Sequence, residues 1–396
     1  MLMQTRTTSR ARGAMLRLAP AVFVVAFLAA TAIFVNPASA AQASTIVVGS
    51  QPDGIAVNQA TGRVFVADYN SNNLTIINGN TNVRSENISA PFPTALAFDS
   101  KTGNLYSVDN ADDNVSVIGG TSLTSVANVS VGTSPDAVAV DPKTGGVFVV
   151  NSEDDTVSVI NASTNTVVAT IPVGDSPDAV AVNPTSHMVY VANNGDNNFT
   201  VINGLTLQRV ANVSVGNGPD AIAVNPTNGA IYVADSSDGV VMELNGTSYH
   251  QIANITVGTS PDAVAVDSFD GTVYVANYQS NTTSVISQPG NVVTAVNVGK
   301  LPDAVAVDVA TGTAYVTNNA DSTVTAIPGT PGVTATSTSH SNTTSHQTTQ
   351  TSVPTTSPGG GGSIPEFPPQ LGAASVVTVF VVAAYALARR AASEKR

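Results

Sequence analysis

The sequence predicts an all-β fold: a seven-bladed β-propeller whose N-terminal strand closes the last blade. Three observations predict it. A proline recurs at Pro52, Pro93, Pro135, Pro177, Pro219, Pro261 and Pro302, at intervals of 41 or 42 residues. An aromatic keeps the same step, at Phe65, Tyr106, Phe148, Tyr190, Tyr232, Tyr274 and Tyr315. Between the prolines each unit carries short β-branched runs separated by Gly, Asn, Asp and Ser clusters. Four-stranded units of about 40 residues, repeated about four to eight times, are the sequence signature of a propeller.

The chain opens with a segment of another kind. Residues 1–40 read as a secretory signal peptide, with Arg6, Arg10, Arg12 and Arg17 ahead of the apolar run Leu18–Val35 and the small-residue site Ala38-Ser39-Ala40. The length of the apolar run leaves an uncleaved anchor as the rival reading. The propeller spans residues 44–328. In its third unit Asp136–Val140, Val147–Val150, Thr156–Ile160 and Val167–Val173 are the four strands, and Asp141–Gly145, Asn151–Asp155 and Asn161–Asn165 are the turns. Inner strands such as Ala137-Val138-Ala139-Val140 are apolar at every position, as a sheet buried on both faces requires. The last unit supplies only three strands, Asp303–Val307, Thr313–Thr317 and Thr323–Ile327. Thr45-Ile46-Val47-Val48-Gly49 resembles the ends of other outer strands, such as Ile171-Pro172-Val173-Gly174, and is the donor of the missing fourth.

Residues 329–363 change composition. Nearly every second residue from Thr330 to Ser357 is Ser or Thr, and Gly359–Gly362 follow. Such a tract has too little apolar surface to offset its ordering entropy and reads as a stalk of a composition suited to O-glycosylation. Residues 364–396 carry Leu371–Ala388, an uncharged stretch trailed by Arg389 and Arg390. At about 1.5 Å per residue its helix would just cross a hydrocarbon core, with the basic end cytoplasmic.

Composition excludes several functions. The 396 residues contain no Cys and no Trp, which removes disulfides, thiolate metal sites and Cys nucleophiles. The formal net charge is -13, and between Thr45 and Ile327 there are 6 basic and 25 acidic residues, so nucleic acid is not a partner. No Ser-His-Asp order is visible, and His187 and His250 lie isolated in turns. The d–a and b–c connections of a propeller share one face, and Arg63, Lys101 and Lys143 fall in a–b connections on the other, so the negative charge concentrates on one face.

The repeats resemble the YVTN β-propeller family of bacterial and archaeal surface proteins. The tetrapeptide stands at Tyr315-Val316-Thr317-Asn318 and in relaxed form at Tyr190-Val191-Ala192-Asn193, Tyr274-Val275-Ala276-Asn277 and Tyr232-Val233-Ala234-Asp235. Pro365-Glu366-Phe367 with its apolar span and basic tail resembles archaeal PEF-type sorting signals. These resemblances imply a propeller at the cell surface and specify no single activity.

The candidate site residues are a repeat feature. Six units place Asp after the proline, at Asp53, Asp136, Asp178, Asp220, Asp262 and Asp303, with Thr94 in the seventh. Two readings stand. The carboxylates ring the channel mouth and bind Ca²⁺ or Mg²⁺ weakly, or each accepts backbone N–H bonds within its own turn. The b–c loops add Asp109, Asp112, Asp113, Glu153, Asp154, Asp155, Asp196, Asp235 and Asp238, without the order of a calcium loop. Glu243 replaces the usual Val or Ser of a third strand and is expected to point outward. Eleven Asn-x-Ser/Thr sequons occur, at Asn73, Asn87, Asn114, Asn128, Asn161, Asn198, Asn212, Asn245, Asn254, Asn281 and Asn342. Of these, Asn87, Asn128, Asn212 and Asn254 share one register on the outermost strand.

The functional expectation is a non-enzymatic, glycosylated cell-surface protein acting in adhesion, envelope structure or ligand or protein binding, held by its C-terminal helix, with no required cofactor. Its partners would be envelope or surface proteins, basic molecules or polysaccharide. The alternative is an extracytoplasmic metal-dependent lactonase-like or hydrolytic propeller that uses the Asp collar.

Overall fold

The computed structural model describes residues 42–329. The signal peptide, stalk, sorting motif and membrane helix expected from the sequence lie outside the described residues. All strands described fall into seven four-stranded antiparallel sheets. We letter the strands of each blade a to d from the axis outward. Blade 1 comprises Pro52–Asn58, Arg63–Asp68, Asn73–Asn78 and Val83–Ser89; blade 2, Pro93–Phe98, Asn104–Asp109, Asn114–Gly119 and Ser125–Ser130. Blade 3 comprises Pro135–Asp141, Gly146–Asn151, Thr156–Asn161 and Thr166–Pro172; blade 4, Pro177–Asn183, Met188–Asn193, Asn198–Asn203 and Gln208–Ser214. Blade 5 is built from Pro219–Val224, Ile231–Asp235, Val240–Leu244 and Gln251–Thr256; blade 6, from Pro261–Val266, Val273–Asn277, Thr282–Ser287 and Val292–Asn297. Blade 7 takes Pro302–Asp308, Thr313–Asn318 and Thr323–Ile327 from the end of the body, and its strand d is Ser44–Val47 from the beginning.

That closure is as the sequence predicts. Ser44 pairs with Ala326, Thr45 with Thr325, Ile46 with Val324 and Val47 with Thr323. The a strands pack side by side around the ring, blade 1 meeting both blade 2 and blade 7. Every residue of strand a in blades 1, 2 and 3 is buried, whereas strand d of blade 1 is exposed along almost its whole length. The gradient explains the composition. Small Ala and Val fit the narrow wedge near the axis, and polar residues occupy the rim.

The recurring aromatic of strand b joins blades. Phe65, Tyr106, Phe148, Tyr190, Tyr232 and Tyr315 are fully buried. The Tyr315 hydroxyl donates to Gly79 O at 3.0 Å and to Asn82 Oδ1 at 2.9 Å, reaching from blade 7 into the c–d turn of blade 1. A phenol supplies both apolar area and a polar tip for a buried partner.

Candidate functional site

The collar residues stand where the ladder slips. In each of these blades the a–b register shifts just after the proline, so the Asp has no ladder partner on strand b. Asp53, Asp136, Asp220, Asp262 and Asp303 are buried, and Asp178 is partly exposed. Three collar carboxylates accept a hydrogen bond from a side-chain amide of the neighbouring blade. Asn110 Nδ2 of blade 2 donates to Asp136 Oδ1 of blade 3 at 2.5 Å. Asn194 of blade 4 donates likewise to Asp220 of blade 5, and Asn319 of blade 7 to Asp53 of blade 1. The amide that reaches each of these three carboxylates sits in the preceding blade's b–c turn.

Burial governs the charge of this collar. It pushes Asp53 well above the usual carboxylate range, against the pull of the Asn319 amide, and Asp68 adds repulsion. Asp303 is raised by burial first and then by the carboxylates of Asp53 and Asp262 on either side. Asp53 Oδ2 is buried and makes no hydrogen bond. Among the described residues, no three His, Cys, Asp or Glu side chains are grouped closely enough to hold one metal ion.

A second ring lies at the end of strand b. Asn151 Oδ1 accepts the N–H of Gly132, from the d–a connection before it, at 3.1 Å, while its Nδ2 donates to Thr156 and Ser158. Asn193, Asn277 and Asn318 repeat the pattern toward Gly174, Gly258 and Gly299. The glycine is required by space: a Cβ on Gly299 would lie 2.6 Å from Asn318 Cγ. Where Asp replaces Asn, the carboxyl is raised by burial, to about 6 at Asp68 and Asp109 and about 7 at Asp235. Asp68 keeps the Thr75 hydroxyl at 2.6 Å. Blade 5 instead has Val240 and Met242 where other blades place hydroxyls or amides, so neither oxygen of Asp235 has a full hydrogen bond. The nearby Gly216 N–H offsets its burial only in part.

The acidic loops largely tie blades together. Asp154 Oδ2 accepts the N–H of Thr133, Asp196 Oδ2 that of Asp175, Asp238 Oδ2 that of Asn217 and Asp321 Oδ2 that of Lys300. These bonds hold Asp238 below its ordinary carboxylate range, the backbone N–H of Asn217 first. Asp113 and Asp155 accept from Ser134 and Ser176, two residues at positive φ. Asp112 and Glu153 remain exposed.

Two residues sit differently from the sequence reading. Glu243 is buried, not outward: Tyr232 OH donates to Oε1 at 3.4 Å and Asn291 Nδ2 of blade 6 to Oε2 at 2.9 Å. Its strand position faces the next blade, and a neighbouring phenol and amide make a carboxylate tolerable there. His187 is not isolated, since its Nδ1 meets Asp141 Oδ2 at 2.7 Å. No sequence signal marks that pair. Its partners are 46 residues apart and meet only when blades 3 and 4 stack.

Comparisons with protein-family models and with curated proteins return no match. Solved structures do match. A hydrazine synthase chain of Kuenenia stuttgartiensis aligns with a TM-score of 0.63 at 15% identity, covering 72% of this chain and 97% of that one. Virginiamycin B lyase from Staphylococcus aureus aligns at 0.62 and 12%, covering 73% and 99%, and a streptogramin B lyase at 0.62 and 12%, covering 72% and 96%. The likeness is one of fold. At these identities it shows a seven-bladed propeller and carries no activity with it.

Proposed function

We propose that this chain is a non-enzymatic cell-surface propeller of YVTN-like repeats that binds envelope proteins, basic molecules or polysaccharide through its acidic face. One observation carries the reading. Ser44 pairs with Ala326, so the body begins and ends on the face of the a–b and c–d turns. The d–a and b–c connections and the strand ends beside them, which together hold 18 of the 25 acidic residues, lie on the opposite face. A tether formed by residues 329–396, with its PEF-like signal and apolar helix, would thus present the acidic face away from the membrane. Exposed carboxylates there attract cationic partners over about a Debye length, ~8 Å at physiological salt. The test is binding of the full-length protein to isolated cell envelope. Binding should weaken several-fold in 0.5 M salt, a roughly Debye-scale effect, and with Asp112→Asn plus Glu153→Gln. Salt-independent binding, or turnover of a lactone or sugar lost on a channel substitution, would overturn the reading.

A second reading, the metal-dependent hydrolytic propeller, is favoured by the buried, unpartnered Asp53 Oδ2 beside Asp303. Calorimetry with millimolar Ca²⁺ or Mg²⁺ decides it. No heat, or heat unchanged by Asp53→Asn, removes it.

A further inference from the structure

We propose that Asn87, Asn128, Asn212 and Asn254 are N-glycan acceptors, forming a single modification register on the rim of blades 1, 2, 4 and 5. The inference rests on the surface location proposed above, and the structure supplies a selection among sequons that look alike in sequence.

The four occupy one place in the blade. Each lies on strand d, opposite Thr75, Ser116, Thr200 and Met242 of strand c respectively. All four are exposed, and so are the sequon hydroxyl residues Ser89, Ser130, Ser214 and Thr256. In an extended strand residues i and i+2 share a face, so amide and hydroxyl are offered together. The amide nitrogens are also unengaged. Among the described residues Asn128 and Asn254 make no side-chain hydrogen bond. Asn87 and Asn212 use only Oδ1, which accepts from Arg84 Nε and from Arg209 Nη2, each at 3.1 Å.

The other described sequons are engaged in the fold. Asn114 is buried, and its Nδ2 donates to Asp112 O. Asn73 and Asn198 donate Nδ2 to Ser71 O and Asp196 O. Asn161 Oδ1 accepts both the N–H and the hydroxyl of Ser163, its own sequon residue. Asn245 and Asn281 cap backbone N–H groups through Oδ1. Asn73, Asn114 and Asn198 would have to give up an Nδ2 bond, and Asn161, Asn245 and Asn281 lie in or beside turns, where their Oδ1 holds backbone N–H groups, away from strand d.

The rim has a physical use for sugar. Strand d is the free edge of each sheet, and edges invite pairing with other chains unless they are blunted. Val126, Val210 and Ile252, at the β-bulge two residues before the acceptors, are 52%, 52% and 57% exposed. A saccharide on Asn128, Asn212 or Asn254 would cover that apolar surface and block the edge. Blades 3, 6 and 7 carry Thr170, Ala295 and Thr45 in this register, opposite Ser158, Ser284 and Thr325, so their rims stay bare.

The donor is a lipid pyrophosphate-linked oligosaccharide, delivered by an extracytoplasmic transferase. Asparagine Nδ2 forms a bond to sugar C1 and loses one proton. The C1–O bond to pyrophosphate breaks, and the lipid pyrophosphate leaves with the electron pair.

Two experiments test this separately from the question of location. Full-length chain made without glycans is incubated, folded, with an oligosaccharyltransferase and its lipid-linked donor, and sites are mapped by glycopeptide mass spectrometry. Transfer is expected at the four rim asparagines and not at Asn114 or Asn161, with one glycan mass lost in each of Asn128→Gln and Asn254→Gln. Transfer that ignores the rim, or that favours Asn114, overturns the acceptor assignment wherever the protein resides. Chain recovered from the native cell surface is mapped in parallel. Occupied rim sites support the proposal, and bare rim sites on surface-located chain overturn it. Recovery from the cytoplasm alone would defeat the surface reading, while the transfer reaction still decides the acceptor geometry.

Discussion

His187 Nδ1 lies 2.7 Å from Asp141 Oδ2, pinning blade 4 to blade 3 on the face opposite the acidic loops. His187 has φ of 59°, and the six matching positions are glycines with positive φ: Gly62, Gly103, Gly145, Gly229, Gly271 and Gly312. The imidazole therefore occupies a left-handed site that favours glycine, held there by a buried carboxylate.

His187→Gly relieves backbone strain worth about 1 kcal/mol but orphans a buried oxygen at a cost of about 1–3 kcal/mol. We expect a net loss of about 1 kcal/mol in urea unfolding. The double variant with Asp141→Asn should recover most of it, since Asn183 and Asn225 already serve that turn position in other blades. A single variant as stable as the parent would show that the pair contributes nothing.

Stability should fall as pH rises. Asp68, Asp109 and Asp267 are raised to about 6, Asp235 to about 7 and Asp53 to about 8, chiefly by burial, and Asp303 is raised well above its ordinary value. Between their unfolded value of 3.8 and these folded values, the native state binds more protons than the unfolded one, so ∂ΔG/∂pH is negative there. The melting temperature is expected to drop by roughly 5 °C or more between pH 5 and pH 8. Asp235→Asn should raise it at pH 8 and change it little at pH 5. A flat profile would mean these carboxyls are solvated in solution.

Removing the closing strand should be costly. Ile46 and Val48 are buried at 7% and 6% exposure, and Ser44–Val47 completes the ladder of blade 7. Two buried side chains at about 1.5–3 kcal/mol each predict a fall in melting temperature of roughly 5–10 °C on deleting 44–49. A shift within about 2 °C would refute the closure, by the same conversion.

Gly299→Ala should destabilise by about 1–3 kcal/mol through the clash with Asn318. Asn318→Ala, which frees the Gly299 N–H and the hydroxyls of Thr323 and Thr325, should cost about 2–4 kcal/mol. Because both changes act on one contact, the double variant should lose less than their sum. Strict additivity in thermal melts would place the two residues in separate interactions.

Much of this architecture was legible because it is periodic. The proline and aromatic steps located all seven blades, and the unit-three strands Asp136–Val140 and Thr156–Ile160 match the observed Pro135–Asp141 and Thr156–Asn161 to within one residue at each end. The site was legible only as positions. The b–c loop acids look like free surface charge in sequence, yet Asp154, Asp196 and Asp238 hold backbone N–H groups 21 residues upstream. Glu243 looks like a surface exception and is a buried acceptor for Asn291.

The sequence by itself determined the repeat, the strand pattern and the donor of the closing strand, because each follows from local alternation of apolar and turn-forming residues. Only the tertiary structure decided which polar groups meet and which carry charge. Asn319 and Asp53 are 266 residues apart and become neighbours when the ring closes. Whether a carboxyl there is ionised then depends on burial and on adjacent carboxylates, quantities that no single repeat contains.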